Sequence, residues 1–307
     1  MKRLDSEIGA LAVRAAPGVL GFGLMNLESG EFWVRLGDRT FPMQSVFKMI
    51  VGAAVLSEVD AGRVRLDEII TLTEKELSPP WSPIADAWPG RSDYTVDELL
   101  TLAVSISDST AADLLMKRIG GPGAITAWLQ GANINEVHVD RYERELQPDV
   151  VGLASFRPAW KGAAAFEAAM ATVPPQKRLA AVRAAMADPR DSSTPRGMLA
   201  FLRRLDNGEL LSAASTRKLL AIMLGTPRGS DRIKAGLPKG VRFAHKIGTW
   251  GGPQGGLSEA YNDVGIFTLP DRRSYAVAAF LTGSTAPERE RATLFADLGR
   301  VAIHSVG

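Results

Sequence analysis

The chain contains no cysteine, which removes a disulfide framework, a thiolate nucleophile and a cysteine-ligated metal in one stroke. The compartment stays open, because a cysteine-free protein folds equally well in reducing and oxidising surroundings. Histidine is nearly as scarce. His138, His245 and His304 share no metal-ligand spacing and read as structural or exposed residues, so no metal is expected. No apolar stretch is long enough to span a bilayer. Met1-Lys2-Arg3-Leu4-Asp5 leads straight into a polar helix start and lacks the apolar run of a signal peptide. A periplasmic or secreted location is therefore expected if a signal was removed from this sequence, and a cytoplasmic one otherwise. Blocks of like charge are missing too: 36 basic and 34 acidic residues are spread along the chain and leave a net charge of +2. Nothing there argues for nucleic acid or an anionic membrane surface. Gly256-Leu257-Ser258-Glu259-Ala260 misses the last glycine of a nucleophile elbow. The glycine-rich run from Gly248 to Gly256 has no following Lys-Ser/Thr, so a phosphate loop is not expected either.

What is present is an ordinary globular composition, 46% apolar and 23% charged over 307 residues, enough to bury a full core. Leu4, Ile8, Leu11 and Ala12 recur on one face and predict a helix over residues 4–15. Gly18 to Asn26 and Gly30 to Leu36 read as two strands about the turn Glu28-Ser29-Gly30. A helix should open near Ser45 and run to about Val59. The pattern then stays mainly helical to about residue 130, with Thr95-Val96-Asp97-Glu98 as a capping box. Helices are also expected from Ser193-Thr194-Pro195 and over Leu211 to Met223. Strands return at Arg242 to Lys246, Asn262 to Leu269 and Ser274 to Leu281, and a last helix covers Pro287 to His304. The reading is an α+β chain in one domain. Residues 1–42 and 195–307 form an α/β part whose antiparallel sheet is built by both chain ends, and residues 43–194 form an inserted all-α region.

Three short motifs carry chemistry when taken together. In Ser45-Val46-Phe47-Lys48 the serine and lysine share one helix face, about 5–6 Å apart at Cβ. Free N–H groups at the helix start favour negative charge at the serine, and a partly desolvated lysine can accept its proton. The bland alternative is a capping serine with a snorkelling lysine. Ser107-Asp108-Ser109 sits between two helices, where Asp108 or Ser109 can cap the second. Lys246-Ile247-Gly248-Thr249 follows an alternating strand. There Gly248 would let a substrate approach the strand edge, and the Thr249 N–H could share an oxyanion hole with that of Ser45.

In this order the motifs match the set of serine β-lactamases and penicillin-binding proteins, and the chain resembles a class A serine β-lactamase over nearly its whole length. Phe41 to Lys48 is similar to the family's nucleophile segment, Val104 to Leu115 to that of its second serine, and Trp81-Ser82-Pro83 to its aromatic wall. Arg141 to Leu146 resembles the start of the omega loop, and Tyr261-Asn262-Asp263-Val264 onward resembles the closing strands and helix. The resemblance implies Ser45 as acylated nucleophile, Lys48 as its neighbouring base and Ser107 as proton shuttle. Lys246 would hold Ser107 and attract the substrate carboxylate, and Glu143 would activate the deacylating water. Trp81, Ser109, Gln147, Gly248 and Thr249 would contact substrate or water, and Arg141 and Asp191 would close the neck of an omega loop spanning about 141–191. No cofactor is implied. The expected partner is a small-molecule β-lactam, bound by a monomer.

Four positions depart from the family pattern. Ser109 and Gln147 stand where asparagines are usual, Ile247 replaces a hydroxyl residue, and the loop from Glu143 to Asp191 carries roughly three dozen extra residues. Two alternatives therefore accompany the lactamase reading: another serine acyl hydrolase acting on an ester or peptide, or a catalytically weak β-lactam-binding protein on the same fold. The extra segment should form a helical hairpin over residues 158–171 and 175–188, broken at Pro174-Pro175. Trp160, Phe166, Met170, Leu179, Val182 and Met186 are expected on its packed faces, and its position makes it either a surface elaboration or a lid.

Overall fold

The computed structural model describes residues 2–251 and 256–306; part of the glycine-rich run after Gly248 therefore lies outside the described residues. Five strands form one antiparallel sheet: β1 Val19–Asn26, β2 Phe32–Arg35, β3 Arg242–Trp250, β4 Ala260–Thr268 and β5 Ser274–Thr282, in the order β2-β1-β5-β4-β3. β1 pairs along its whole length with β5, from Val19 opposite Thr282 to Asn26 opposite Tyr275, so the two ends of the chain meet at the centre of the sheet. Period-two alternation divides β5 between two cores. Val277, Ala279 and Leu281 join Leu4, Ile8, Leu11, Phe295 and Leu298 on one side. Ala276, Ala278 and Phe280 join Phe41, Met49, Leu199 and Leu202 on the other. With both faces covered, β4 and β5 are buried almost throughout, and β5 reads as a nearly unbroken apolar run.

The helices Lys2–Arg14 and Glu288–Val306 cover the first face. Against the second lies a helical layer centred on Phe47–Asp60, which is buried all round from Phe47 to Leu56 and so has to be an interior helix. Around it stand Val96–Thr101, Ser109–Arg118, Pro122–Gly131, Pro195–Asp206 and Ala213–Leu224. Thr95 forms the expected capping box, its hydroxyl accepting from Glu98 N while Glu98 returns a bond to Thr95 N. Among the described residues no helix is long and apolar enough to cross a membrane.

Two features differ from the sequence reading. The segment Glu143–Val151 is a helix, although Pro148 lies inside it and proline ordinarily costs a helix about 3 kcal/mol. The extra segment does contain two helices, Ala163–Ala171 and Pro175–Ala187, after a short turn at Pro158–Trp160. Phe166, Ala169 and Val182 are buried, but Leu179 is 40% exposed and does not belong to the packed face. The second of these helices lies along Glu143–Val151, with Ala181 beside Gly152 and Ala185 against the helical core.

Candidate active site

Ser45 sits half-buried on a single 3-10 turn, Gln44–Val46, directly ahead of the helix expected to begin at that serine. The turn is clamped from two sides. Asn262 of β4 donates its side-chain amide to the carbonyls of Pro42 (2.8 Å) and Met43 (3.0 Å). A Cβ at Gly248 would come within 2.1 Å of the Met43 carbonyl oxygen, so this glycine lets the nucleophile's own turn press on β3. Gln44 takes a left-handed backbone, φ +47°, a strained state for a side chain larger than glycine.

Lys48, the second residue of the helix, is 1% exposed and gathers three groups. Its ammonium lies 2.8 Å from Glu143 Oε1 and donates to the Ser107 carbonyl (2.7 Å) and Ser109 Oγ (3.2 Å). Ser107 closes the π-turn Leu102–Ile106 in the left-handed region, φ +70°. Asp108 then caps the next helix by accepting from Ala111 N (2.8 Å), and also takes bonds from Ser82 Oγ and Ile84 N. That buried cap ties the serine loop to the segment carrying Trp81, whose carbonyl accepts from Ser109 N. The 44% exposed Trp81 ring forms one wall.

From β3, Lys246 reaches across and donates to Ser107 Oγ at 2.9 Å. Burial drives its pKa well below the usual lysine value, with the charges of Lys48 and Arg228 adding to the shift. The cleft between these walls is small, about 110 Å³, and is lined by Ser45, Lys48, Trp81, Ser107, Glu143 and Thr249 among others. Ile247 also lines it. Two arginines that sequence reasoning missed complete its cationic side. Arg228 stacks over Trp81 at 4.9 Å from the ring centre. Arg232, nearly fully buried, donates to Thr249 Oγ1 at 2.5 Å and to the Asn262 carbonyl at 2.7 Å. Both come from the loop before β3, where no local pattern marks a binding residue. No residue of the extra helical segment lines the cleft.

Glu143 and Gln147 occupy adjacent turns of the Glu143–Val151 helix, and Gln147 Nε2 donates to Glu143 Oε2 at 2.7 Å. The helix has no side-chain cap of its own at Tyr142. Instead Asp113, from the helix Ser109–Arg118, accepts the N–H groups of Glu143 (2.7 Å) and Arg144 (3.1 Å) together with the Ser78 hydroxyl, satisfying donors that a helix start leaves open. Burial pushes the Asp113 carboxyl up to about 7. At the loop neck Arg141 Nε lies 2.6 Å from Asp191 Oδ2, with exposures of 8% and 2%. Asp191 Oδ1 also accepts from the N–H groups of Asp140 and Arg141, and its carbonyl accepts from Met43 N. The neck is thus bonded to the nucleophile turn.

The structure brings together Ser45, Lys48, Trp81, Ser107, Ser109, Glu143, Gln147, Lys246 and Thr249, with Arg141 and Asp191 behind them. Among the described residues no group of three or more His, Cys, Asp or Glu side chains could hold a metal ion. His245 is buried and paired with Asp263 at 2.7 Å.

Comparison with known proteins identifies the family of the chain as a whole. A family model described as the beta-lactamase enzyme family matches residues 3–306. Beta-lactamase VEB-1 of Pseudomonas aeruginosa is 27% identical over 94% of this chain and 86% of its own length. The extended-spectrum beta-lactamase PER-1 of the same organism is 31% identical over 85% and 74%. Among solved structures, a reconstructed ancestral class A beta-lactamase of Gram-negative bacteria superposes with a TM-score of 0.78 at 31% identity, covering 98% of this chain and 99% of the other. A beta-lactamase from Chitinophaga pinensis gives 0.80 at 30% identity, with 99% of both chains covered.

Proposed function

The chain belongs to the class A β-lactamase family, and on that premise we propose that it opens β-lactam amides through an acyl-enzyme on Ser45, released by a water that Glu143 activates. Ser45 Oγ attacks the lactam carbonyl, and its proton passes to Lys48 in its neutral form. The tetrahedral oxygen is stabilised by the N–H groups of Ser45 and Thr249. The ring C–N bond breaks as the Ser107 hydroxyl delivers a proton to the leaving nitrogen, with Lys246 holding that hydroxyl. In the second half Glu143 takes a proton from water, which attacks the acyl carbon and returns Ser45 to its hydroxyl form.

One observation carries the reading: a buried carboxylate, Glu143, stands 2.8 Å from Lys48 Nζ and is oriented by Gln147. A protein that only acylates has no use for a second base in that place. The substrate carboxylate is assigned to Lys246, Thr249 and the neighbouring arginines. We read the chain as one domain with the cleft at its seam, the nucleophile coming from the helical part at 43–194 and Lys246 from the α/β part at 1–42 and 195–307. In this reading it acts as a monomer, in the periplasm or outside the cell if a signal peptide was removed from the chain and in the cytoplasm otherwise.

Nitrocefin turnover, combined with intact-mass measurement of penicillin-treated protein, tests this. Turnover with a transient adduct on Ser45 is expected. A persistent adduct would favour a penicillin-binding role, absence of any adduct an idle binder, and ester hydrolysis without lactam hydrolysis a different acyl hydrolase.

A further inference from the structure

Gln147 does not hold Glu143 unaided. Its Nε2 carries two hydrogens and spends both, one on Glu143 Oε2 at 2.7 Å and one on Gln44 Oε1 at 2.9 Å. Gln44 in turn donates its own Nε2 to Glu259 Oε2 at 2.5 Å. The four side chains come from three separate places: Glu143 and Gln147 from the loop helix, Gln44 from the nucleophile turn, and Glu259 from the residue just before β4. All are buried, with exposures of 0% for Glu143, 4% for Gln147 and 2% each for Gln44 and Glu259. Gln44 reaches both neighbours from a left-handed backbone, a conformation that persists only where surrounding contacts over-determine it.

The chain has a direction. A side-chain amide can turn its oxygen or its nitrogen toward a neighbour, and only the partner decides which. An ionised carboxylate accepts and cannot donate, so Glu259 obliges Gln44 to face it with nitrogen. The Gln44 oxygen is then left for Gln147, which must answer with nitrogen, and the second hydrogen of that nitrogen meets Glu143. Reversing the Gln44 amide would set its oxygen against the Glu259 carboxylate and its nitrogen against the Gln147 nitrogen, leaving both links unmade.

We propose that Glu259 is a positioning residue for deacylation: through Gln44 and Gln147 it fixes the donor that orients Glu143. The proposal rests on Glu143 being the base that activates water. Burial pushes the Glu259 carboxyl up to about 7, opposed by its bond from Gln44 and by the Arg141 charge, while Asp191 and Asp188 add to the rise. Above that value Glu259 is the acceptor the chain requires. Because the line of bonds ends on Glu143, the larger effect is expected on release rather than on attack.

The test is rapid-mixing measurement of acylation and deacylation constants for a penicillin at pH 8, in the parent, Glu259→Leu, Glu259→Gln and Glu143→Gln. Glu259→Leu should slow deacylation about tenfold, the rate equivalent of one net hydrogen bond, while acylation stays within about twofold, so that kcat and KM fall together. Glu259→Gln, which can still accept from Gln44, should lie between Leu and the parent. Unchanged deacylation in Glu259→Leu, or an equal loss in both steps, overturns the proposal. Should that variant fail to fold, Glu259→Asp, whose shorter side chain withdraws the acceptor from Gln44, is judged by the same two outcomes. Glu143→Gln separates the readings. If it releases product normally, the assignment of the base has failed; if it traps the acyl-enzyme while the Glu259 variants release normally, only the relay has failed.

Discussion

Two halves of one cleft are held in place by different means. Ser45, Lys48, Ser107 and Lys246 stand on a turn, a helix, a loop and a strand that clamp one another by short contacts. Gly248 admits the Met43 carbonyl, Asn262 bonds the carbonyls of Pro42 and Met43, and Asp108 caps its own helix. Glu143 and Gln147 stand on a helix whose supports come from elsewhere: the cap from Asp113, the neck from Asp191, and the far side from the extra helix Pro175–Ala187. In the first arrangement the supporting segments are the ones that carry the reacting groups, and they hold one another directly. The second depends on distant groups, so it is where changes should tell on release of the acyl group before they tell on its formation.

The comparison is broken most completely at Ser45. Ser45→Ala should abolish the mass adduct formed with penicillin and all nitrocefin turnover; an adduct that survives would place the nucleophile elsewhere. Glu143→Gln should leave acylation intact while release slows by about 10²–10⁴-fold, the usual contribution of a general base, and the acyl-enzyme should accumulate in the mass spectrum. Equal slowing of both steps would mean that the two halves are not separable.

Lys246 sharpens the comparison through pH. Burial and two nearby cations depress its pKa, so its charge disappears as pH rises through a value below the ordinary lysine range. The attraction for the substrate carboxylate is present below that point and lost above it. The profile of kcat/KM should therefore fall on an early alkaline limb by about ten- to a hundredfold, matching the loss of a bond to a charged group. Lys246→Arg, which stays charged, should move that limb upward, and a limb that does not move would assign it to another group.

Smaller effects are expected at Ile247 and in the extra segment. Ile247 lines the cleft where a hydroxyl would meet the carboxylate. Ile247→Thr should lower KM about tenfold, or by roughly 1.5 kcal/mol, and an unchanged or higher KM would show that the hydroxyl is not missed. Val182 is 3% exposed on the helix behind Glu143–Val151. Val182→Ala should cost about 2 kcal/mol of stability by thermal melting, with the deacylation constant falling and the range of accepted acyl groups unchanged. A selective gain on bulky substrates would instead restore the lid reading, which the lining of the cleft does not favour.

Most of the sheet and the first half of the site were legible because local chemistry encodes them. Apolar runs bounded by turn residues mark β1 and β5, alternation leading into Lys246 marks β3, and Thr95-Val96-Asp97-Glu98 announces a helix start. Ser45 and Lys48, or Lys246 and Thr249, are near enough in sequence to be read as units. The helix carrying Glu143 was not legible. Its cap is Asp113, on a different helix, and Pro148 argues against a helix to any reader of the local sequence. Arg228 and Arg232 were equally silent, since a loop arginine gains a role only from what folds beside it. Leu179 shows the converse case: helical periodicity placed it on a packed face, but periodicity names a face without saying which neighbour arrives to cover it.

By itself, then, the sequence determined the residue types available for acylation, the strands and helices that bear them, and the exclusion of thiol chemistry. These follow from side-chain chemistry and short-range spacing, which are properties of a linear chain. The tertiary structure alone decided that Glu143 would meet Lys48, that Asp113 would cap the helix beneath it, and that Gln44, Gln147 and Glu259 would join in one hydrogen-bonded line. Each of those contacts joins polar groups from separate segments inside a core where water is excluded. Such groups must find one another or go unsatisfied, and which partner is within reach is fixed only when the segments pack.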